Sequence, residues 1–389
     1  MQVARHFGLE VQVFSTPTSI FLGFALGVPD RVRLLRVEPG GVHLGKLVDL
    51  DELMDDVVAG ELTPAEGLVR LDEIELAVPK WSRTSVTAGH ALAAGTAAVF
   101  FGGSILDVAL SFVLGGVIGL LEIVASRQQG VASIFEPLAA FTAAAVALAA
   151  SDISNGAVND GVVALASIIV LVPGLSLTVA LLELATRNLA SGTARLAGAA
   201  TVFLTIGFGA LLGRLAVHQV LGRGEPLALA VQEEWLGTAP VLGAALLLAS
   251  LGFALLFRVR PKELGWVIAG CSFGFVSARV ARDLAAGARV EAGVTPVETA
   301  AISAFVGAFA VAIFSNAYAR FRNRPATVPL VPGLLVLVPG SVGYRALNAL
   351  AEQDTLTGLE TAFQMVLLAA ALVGGMLTAN AILPPRRYL

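Results

Sequence analysis

Acidic side chains next to long apolar segments are the residues of this sequence whose type and position suit proton chemistry. Asp107 and Glu122 stand at the two ends of one apolar segment, and Glu183 follows another. An ionisable group within a membrane-spanning helix is costly and is by default functional. Because desolvation brings a carboxylate into titration near neutral pH, these three acids are the candidates for proton coupling.

A second set of candidate residues lies in a stretch that occurs twice. LVPGLSLTVALLELATRNLASG begins at Leu171 and LVPGSVGYRALNALAEQDTLTG begins at Leu337, and the two align without a gap. Gly192 in the first copy matches Gly358 in the second. The match predicts an internal repeat. The alternative is that Pro-Gly after an apolar run is common punctuation and that the match is chance.

Proline and glycine in these stretches predict breaks in membrane helices. Proline removes a backbone donor, glycine tolerates unusual dihedrals, and a break in hydrocarbon needs protein or a water-filled cavity around it. Pro332-Gly333 and Pro339-Gly340 would break one span twice. Half-helix ends at such breaks suit a carboxylate or a small zwitterion, and a packing kink is the alternative. The candidate substrate-binding or gating residues are Pro173, Gly174, Glu183, Arg187, Ser191, Gly192, Arg195, Pro332, Gly333, Pro339, Gly340 and Arg345.

The charged residues after Pro173 are also compatible with an ordinary solvent-exposed helix. Glu183 and Arg187 have the i, i+4 spacing of an ion pair on a helix surface. A solvated helix at the membrane edge is therefore the alternative to a gate or a binding site for this segment.

The composition predicts a polytopic α-helical membrane protein. Of the 389 residues 56% are hydrophobic and only 14% are charged, and the mean hydropathy is +0.82. A helix needs roughly 20 mostly apolar residues to cross a bilayer. Ten segments approach this: 86–104, 106–125, 134–150, 158–175, 196–216, 236–257, 264–280, 297–317, 327–342 and 361–383. The bias of Lys and Arg among the short loops predicts that both termini are cytoplasmic.

The position of the repeated stretch predicts how the spans are arranged. One copy follows the fourth span and the other follows the ninth, so an odd number of spans separates them. We therefore expect two five-helix repeats of inverted topology, at residues 84–217 (the first half) and 236–389 (the second half). Transporters built in this way bind their substrate at the membrane midplane between the halves.

Residues 1–83, the head, hold much of the charge and predict a small cytosolic α/β domain. Strands are expected at 11–17, 20–24 and 31–37, followed by helices at 49–59 and 64–76. Thr63 and Glu66 have the spacing of a capping box. The head has no phosphate loop, metal-ligand spacing or nucleophile motif, so we expect a docking or regulatory role.

Several function classes are disfavoured by the sequence. The single cysteine, Cys271, allows no intramolecular disulfide, and a net charge of −4 does not suggest a nucleic-acid partner. The chain has none of the common motifs of intramembrane enzymes, and we expect no metal and no cofactor. The expected partners are the lipid bilayer, a small substrate and protons, and a homo-oligomer is left open.

Two stretches also resemble a known family. LTPAEGLVRLDEI at the end of the head and VPGLSLTVALLELATRNLASGTARL after the fourth span are similar to the threonine/serine exporter (ThrE) family. The second Leu-Val-Pro-Gly region resembles the C-terminal half, which some relatives carry as a separate chain, so the two halves are fused here. The resemblance covers essentially the whole chain. It carries over to Pro173, Gly174, Glu183, Ser191, Gly192 and Arg195, and an acid is also found in relatives where this chain has Asp107.

The resemblance has two departures. Relatives commonly have an acid where this chain has Asn188, and they extend further upstream with another helix. Two alternatives follow: either the true start lies upstream of Met1, or the head is N-terminally truncated and incomplete.

The resemblance implies a secondary transporter of the plasma membrane that exports threonine and serine in exchange for protons, and not an enzyme. Split two-chain relatives are associated with dicarboxylate export, so a dicarboxylate exporter is the alternative within the class. Such a site would need two cationic or donor groups and no acid against the ligand. A membrane scaffold whose head recruits a partner is the alternative from another class.

Overall fold

The computed structural model describes residues 2–16, 18–24, 31–37, 41–77, 81–221, 234–292, 295–337, 340–351 and 353–386. These residues form one small sheet and many helices. The strands are β1 (Val11–Thr16), β2 (Ser19–Phe24) and β3 (Arg31–Arg36). The helices are α1 (Gln2–His6), α2 (Leu44–Val58), α3 (Pro64–Leu76), α4 (Arg83–Phe100), α5 (Ile105–Ala125), α6 (Gln129–Ala132), α7 (Phe135–Ile153), α8 (Asp160–Ser167), α9 (Gly174–Ala185), α10 (Leu189–Leu221), α11 (Ala239–Leu256), α12 (Leu264–Ala292), α13 (Pro296–Arg322), α14 (Thr327–Leu335), α15 (Gly340–Ala351) and α16 (Thr355–Ile382).

The head contains the predicted strands and helices within a few residues. Its three strands are antiparallel in the order β1-β2-β3, and Phe14 lies opposite Phe21, which lies opposite Leu34. Helix α3 begins with the predicted capping box, in which the Thr63 hydroxyl accepts from the Glu66 N–H and the Glu66 carboxylate accepts from the Thr63 N–H. Helix α2 begins five residues earlier than predicted.

The remaining helices form the body of a polytopic membrane protein. Among the described residues, eight stretches are long and apolar enough to cross a membrane. They are α5, α7, α10, α11, α12, α13, α16 and the region 327–350 that contains α14 and α15. Helix α4, which is rich in alanine, glycine and threonine, and the pair α8–α9 are less apolar or shorter. Ten spans therefore stay a prediction.

The predicted span 158–175 is interrupted before its end. Helix α8 ends at Ser167 and α9 begins at Gly174, so the chain breaks where the first Leu-Val-Pro-Gly stands. In the second half α14 ends at Leu335 and α15 begins at Gly340. Both half-helices after the breaks continue well beyond the predicted spans. The residue Pro339 lies outside the described residues.

The prediction of a break at Pro332-Gly333 is wrong, because α14 continues through both residues. Gly333 is buried, and a Cβ at this position would lie 2.8 Å from Cγ1 of Val311 on α13. A proline removes only one hydrogen bond from the helix, and the glycine allows α13 to approach. Pro332-Gly333 is therefore a packing feature.

Equivalent positions of the two halves have the same backbone conformation. A residue with positive φ follows α4 and α11, α7 and α13, and the half-helices α9 and α15. The pairs are Gly102 (74°) and Arg258 (52°), Asn155 (54°) and Asn323 (55°), and Arg187 (65°) and Gln353 (65°). The last pair is separated by the same 166 residues as Leu171 and Leu337.

The matching glycines of the repeated stretch also make the same contact. A Cβ at Gly192 would lie 2.7 Å from Cγ of Leu184, and a Cβ at Gly358 would lie 2.5 Å from Cγ of Leu350. Each glycine allows a helix to fold back against the half-helix before it. The gapless alignment of the two copies is thus matched by their local structure.

Charged residues join the head to the body. Arg260, before α12, donates to the carboxylates of Asp49 and Glu52 on α2, and Arg324 after α13 is also paired with Glu52. Because Arg260 donates to it, the Glu52 carboxyl has a pKa below its usual range. The Trp81 indole N–H donates to the Val259 carbonyl at 2.6 Å. The head thus contacts the end of α11, the start of α12 and the end of α13.

Candidate functional site

The two half-helices that follow the breaks begin next to each other. A Cβ at Gly340, the first residue of α15, would lie 2.9 Å from Cγ1 of Val172 and 3.6 Å from Cα of Gly174. Pro173, Gly174 and Gly340 are all buried. Helix N-termini carry partial positive charge and free N–H groups. Two such termini therefore meet where the first half contacts the second.

The start of α9 is held by its own chain. Pro173 makes no side-chain cap, although its carbonyl accepts from the Leu177 N–H at 2.9 Å. The buried hydroxyl of Thr178 donates to the Gly174 carbonyl at 3.0 Å. The first turn of α9 is thus fixed without a side chain covering its N-terminus, and this arrangement suits the carboxylate of a ligand.

The predicted ion pair between Glu183 and Arg187 is wrong. Helix α9 ends at Ala185, and Arg187 has a positive φ and is exposed, so the two side chains no longer share a helix face. Both oxygens of Glu183 instead accept from Arg195 on α10, at 3.0 and 3.1 Å. This ion pair joins α9 to α10. Ser191, in the first turn of α10, donates to the Ser15 carbonyl of β1 at 3.0 Å.

Asp107 makes one local contact and one contact with a distant part of the chain, and only the local one has a signal in the sequence. The side chain is fully buried, and its two oxygens accept from the Ser104 N–H at 2.7 Å and from the Asn159 N–H at 2.8 Å. One bond caps α5 and the other caps the start of α8. Asp107 therefore joins two helix ends, and its sequence signal was a capping box that begins at Ser104.

Glu122 is paired with a residue that the candidate set does not contain. Its Oε2 lies 2.7 Å from Nε2 of His90 on α4. The His90 side chain is 3% exposed and the Glu122 side chain is 46% exposed. A lone histidine near a helix end gives no signal of its own, and only the packing of α4 against α5 brings the two together.

Arg345 lies on α15, five residues after Gly340. Its side chain is exposed, and its guanidinium carbon is 5.7 Å from the centroid of the Phe101 ring at the end of α4. The distance allows a cation–π contact. Of the predicted substrate or gating residues, the structure brings together Pro173, Gly174 and Gly340, and it places Glu183, Ser191, Arg195 and Arg345 in separate contacts.

The chain matches two family models. Residues 1–215 match the model described as "Putative threonine/serine exporter", and residues 243–382 match the model described as "Threonine/Serine exporter, ThrE". This chain belongs to the threonine/serine exporter family. The expected resemblance is confirmed, with the two halves of the family fused in one chain.

The chain is also similar to individual named proteins, at low sequence identity. A protein of Mycobacterium tuberculosis named "Probable threonine/serine exporter" is 26% identical over 400 residues, 99% of this chain and 72% of the relative. "Pheromone-regulated membrane protein 10" of Candida albicans is 24% identical over 370 residues, 93% of this chain and 31% of the relative. That of Yarrowia lipolytica is 26% identical over 334 residues, 82% of this chain and 26% of the relative. The chain thus spans between a quarter and a third of the length of these fungal relatives. No solved structure matches it.

The described part of this exporter-family chain holds no group of three or more His, Cys, Asp or Glu side chains that could bind a metal ion. The buried Cys271 is a free thiol. Two ion pairs contain candidate residues. His90 pairs with Glu122, and Glu183 pairs with Arg195.

Proposed function

We propose that this chain is a secondary transporter that exports threonine and serine across the plasma membrane in exchange for protons. The observation that carries the proposal is the meeting of two half-helix N-termini, at Gly174 and Gly340, between the two halves of the body. An α-carboxylate would bind there, because free N–H groups and helix dipoles favour an anion. The family and the Mycobacterium relative's name agree with an exporter.

The direction of the helices supports an inverted arrangement of residues 84–217 and 236–389. Helices α4 and α11 both have 18 residues and open their halves. The head is joined to the first residues of α4, but it contacts the last turn of α11, where the Leu44 N–H donates to the Phe257 carbonyl at 2.9 Å. The two helices therefore run in opposite directions relative to the head. We place the head and both termini in the cytoplasm.

Proline and glycine give the site room to open and close. Pro173-Gly174 ends one break and Gly340 ends the other, so no complete helix has to move when a ligand enters. Glu183 lies near the end of the first half-helix, α9, and Ser191 and Arg195 follow on α10; together they would act as a gate at the head side. Arg345 lies within the second half-helix, α15, and would act at the opposite side.

A dicarboxylate exporter is the second candidate, and one observation favours it. Two positive N-termini meet at the breaks, and the acids Asp107 and Glu183 are engaged elsewhere by backbone N–H groups and by Arg195. Such a site suits two carboxylates as well as one.

Transport by purified protein in liposomes tests the proposal. Vesicles loaded with labelled threonine, serine or succinate are given a proton gradient, and efflux is measured with and without it. Gradient-dependent loss of threonine and serine but not succinate is expected. Succinate efflux alone would establish the second candidate, and no flux from folded protein would leave the scaffold as the answer.

A glycine variant and its control connect the flux to the breaks. Gly340→Ala places a Cβ 2.9 Å from Val172, and we expect transport to fall at least about tenfold, since a misplaced site of this kind costs orders of magnitude. Gly198→Ala on α10 is the control, because a Cβ there meets no atom within 4 Å. Equal transport by both variants would contradict a site at the breaks.

A further inference from the structure

A polar pair lies in the contact between α4 and α5. Nε2 of His90 and Oε2 of Glu122 are 2.7 Å apart. The imidazole packs against Gly119, where a Cβ would lie 3.3 Å from its Cδ2, and the His90 carbonyl faces Gly115. The ring is buried and the carboxylate is about half exposed, so the pair connects the surface of the body with the interior of a helix contact.

The pair is close to the head side of the body and to the other half. His90 is seven residues after the start of α4, about 10 Å along its axis, and Glu122 is in the last turn of α5. Gly89, the neighbour of His90, contacts α11, because a Cβ there would lie 2.9 Å from the Gly252 carbonyl oxygen. A movement of one half against the other therefore acts directly beside His90.

The other two candidate acids are engaged in ways that a proton would disrupt. Both oxygens of Asp107 hold backbone N–H groups that join α5 to α8, and both oxygens of Glu183 hold the Arg195 guanidinium. The His90–Glu122 pair has a different property. A neutral imidazole donates to a carboxylate, and after protonation an imidazolium or a carboxylic acid makes the same bond between the same two atoms.

The pair also exists in one half only. Helix α4 matches α11 residue by residue at a separation of 156, and the position that corresponds to His90 is Leu246, which cannot pair with a carboxylate. The two halves share helix breaks, residues with positive φ and glycine contacts, but only the first half has this polar pair.

Several charged groups surround the pair. Arg258 follows α11 at the same end of the body as the pair. Arg83, Arg127 and Glu136 are at the same end of α4, α5 and α7. Asp107, Asp152 and Asp160 are at the opposite ends of α5, α7 and α8.

From this geometry we infer that His90 and Glu122 together hold the proton that the transporter carries. The half-exposed Glu122 exchanges the proton with water at the head side, and the buried His90 holds it at the contact between the halves. The pair changes its charge from −1 to 0 when one proton binds, and no other bond is made or broken. The inference rests on the proposed function, because it assigns a residue pair to proton exchange.

Two transport modes in liposomes separate coupling from binding. Exchange of labelled for unlabelled threonine across the membrane at equal pH measures substrate movement alone. Accumulation of threonine driven by a pH gradient measures coupling. We expect Glu122→Gln and His90→Gln to keep exchange within about twofold and to lose gradient-driven accumulation. Glu136→Gln, an acid at the same end of the body, is the control and should keep both.

Each other outcome overturns the inference in a recognisable way. Gradient-driven accumulation by Glu122→Gln and His90→Gln at the unmodified protein's level would show that the proton binds elsewhere, while the proposed function stands. Loss of exchange and accumulation together in both variants would assign the pair to the framework. No exchange by the unmodified protein would remove the proposed function, and the inference with it.

Discussion

The contact between α4 and α5 allows a prediction in which one glycine is compared with its neighbour. A Cβ at Gly115 would lie 2.5 Å from Cβ of Ala94 and 2.7 Å from the His90 carbonyl oxygen, whereas a Cβ at Gly116 would meet Cβ of Ala91 at 3.8 Å, an ordinary contact. Carbon atoms pack best at about 3.5–4.0 Å. Gly115→Ala therefore has to separate the two helices by about 1 Å, and Gly116→Ala does not.

The magnitude follows from the difference between the two variants. Replacing glycine by alanine in a helix gains about 1 kcal/mol, and this gain is common to both positions. Overpacking at a tight contact costs about 1–3 kcal/mol. Gly115→Ala should thus be less stable than Gly116→Ala by about 1–3 kcal/mol, which is roughly 1–4 °C in the midpoint of thermal unfolding for a chain of this size.

The single cysteine of the chain provides the assay. Cys271 is buried, so a dye that becomes fluorescent on reaction with a thiol reports unfolding in detergent. The unmodified protein, Gly115→Ala and Gly116→Ala are heated at the same rate and their midpoints are compared. Equal midpoints for the two variants, or a higher one for Gly115→Ala, would refute the close packing of α5 on α4.

Two further predictions concern the ionic contacts. Arg260→Gln removes the donor shared by Asp49 and Glu52, and since these carboxylates are about a third exposed we expect a loss of about 1–3 kcal/mol of docking free energy. Faster amide exchange in α2 would show it, and unchanged exchange would contradict it. Glu52 has a lowered pKa in the docked head, so its contribution to docking is complete above the ordinary glutamate pKa and is lost as the pH falls through the lowered pKa. Protection of the α2 amides, corrected for the intrinsic pH dependence of exchange, should therefore fall on acidification below the ordinary glutamate pKa. Asp107→Asn leaves an amide N–H group facing a backbone N–H, and thermal unfolding should show a loss of about 1–3 kcal/mol; unchanged stability would contradict the junction of α5 and α8.

Local chemistry allowed much of the fold to be predicted from the sequence. Apolar runs gave most of the helices, and Thr63 with Glu66 gave the start of α3 because both partners of a capping box are local. The offset between Leu171 and Leu337 predicted equivalent structure, which is confirmed at Gly192 and Gly358.

The parts that could not be predicted depend on contacts between distant residues. Arg187 has the correct spacing for Glu183, but the helix ends between them, and Arg195 approaches only after the chain turns. His90 and Glu122 belong to different helices and have no common motif. Pro332 was expected to break a helix, although the loss of one hydrogen bond is compatible with the packing of Gly333 on α13.

The head joins the two halves at one end of the body. It continues directly into α4 and bonds to Ser191 of α10, both in the first half, and its helix α2 bonds to Arg260 and Arg324 of the second half. The head is therefore a mechanical link between the two halves. If the two halves move against each other during transport, this link would keep the helix ends that it joins at fixed distances, and the largest displacement would be at the far side of the membrane. Opening at the near side would then require these bonds to break, so the strength of a few ion pairs would set how often that side opens.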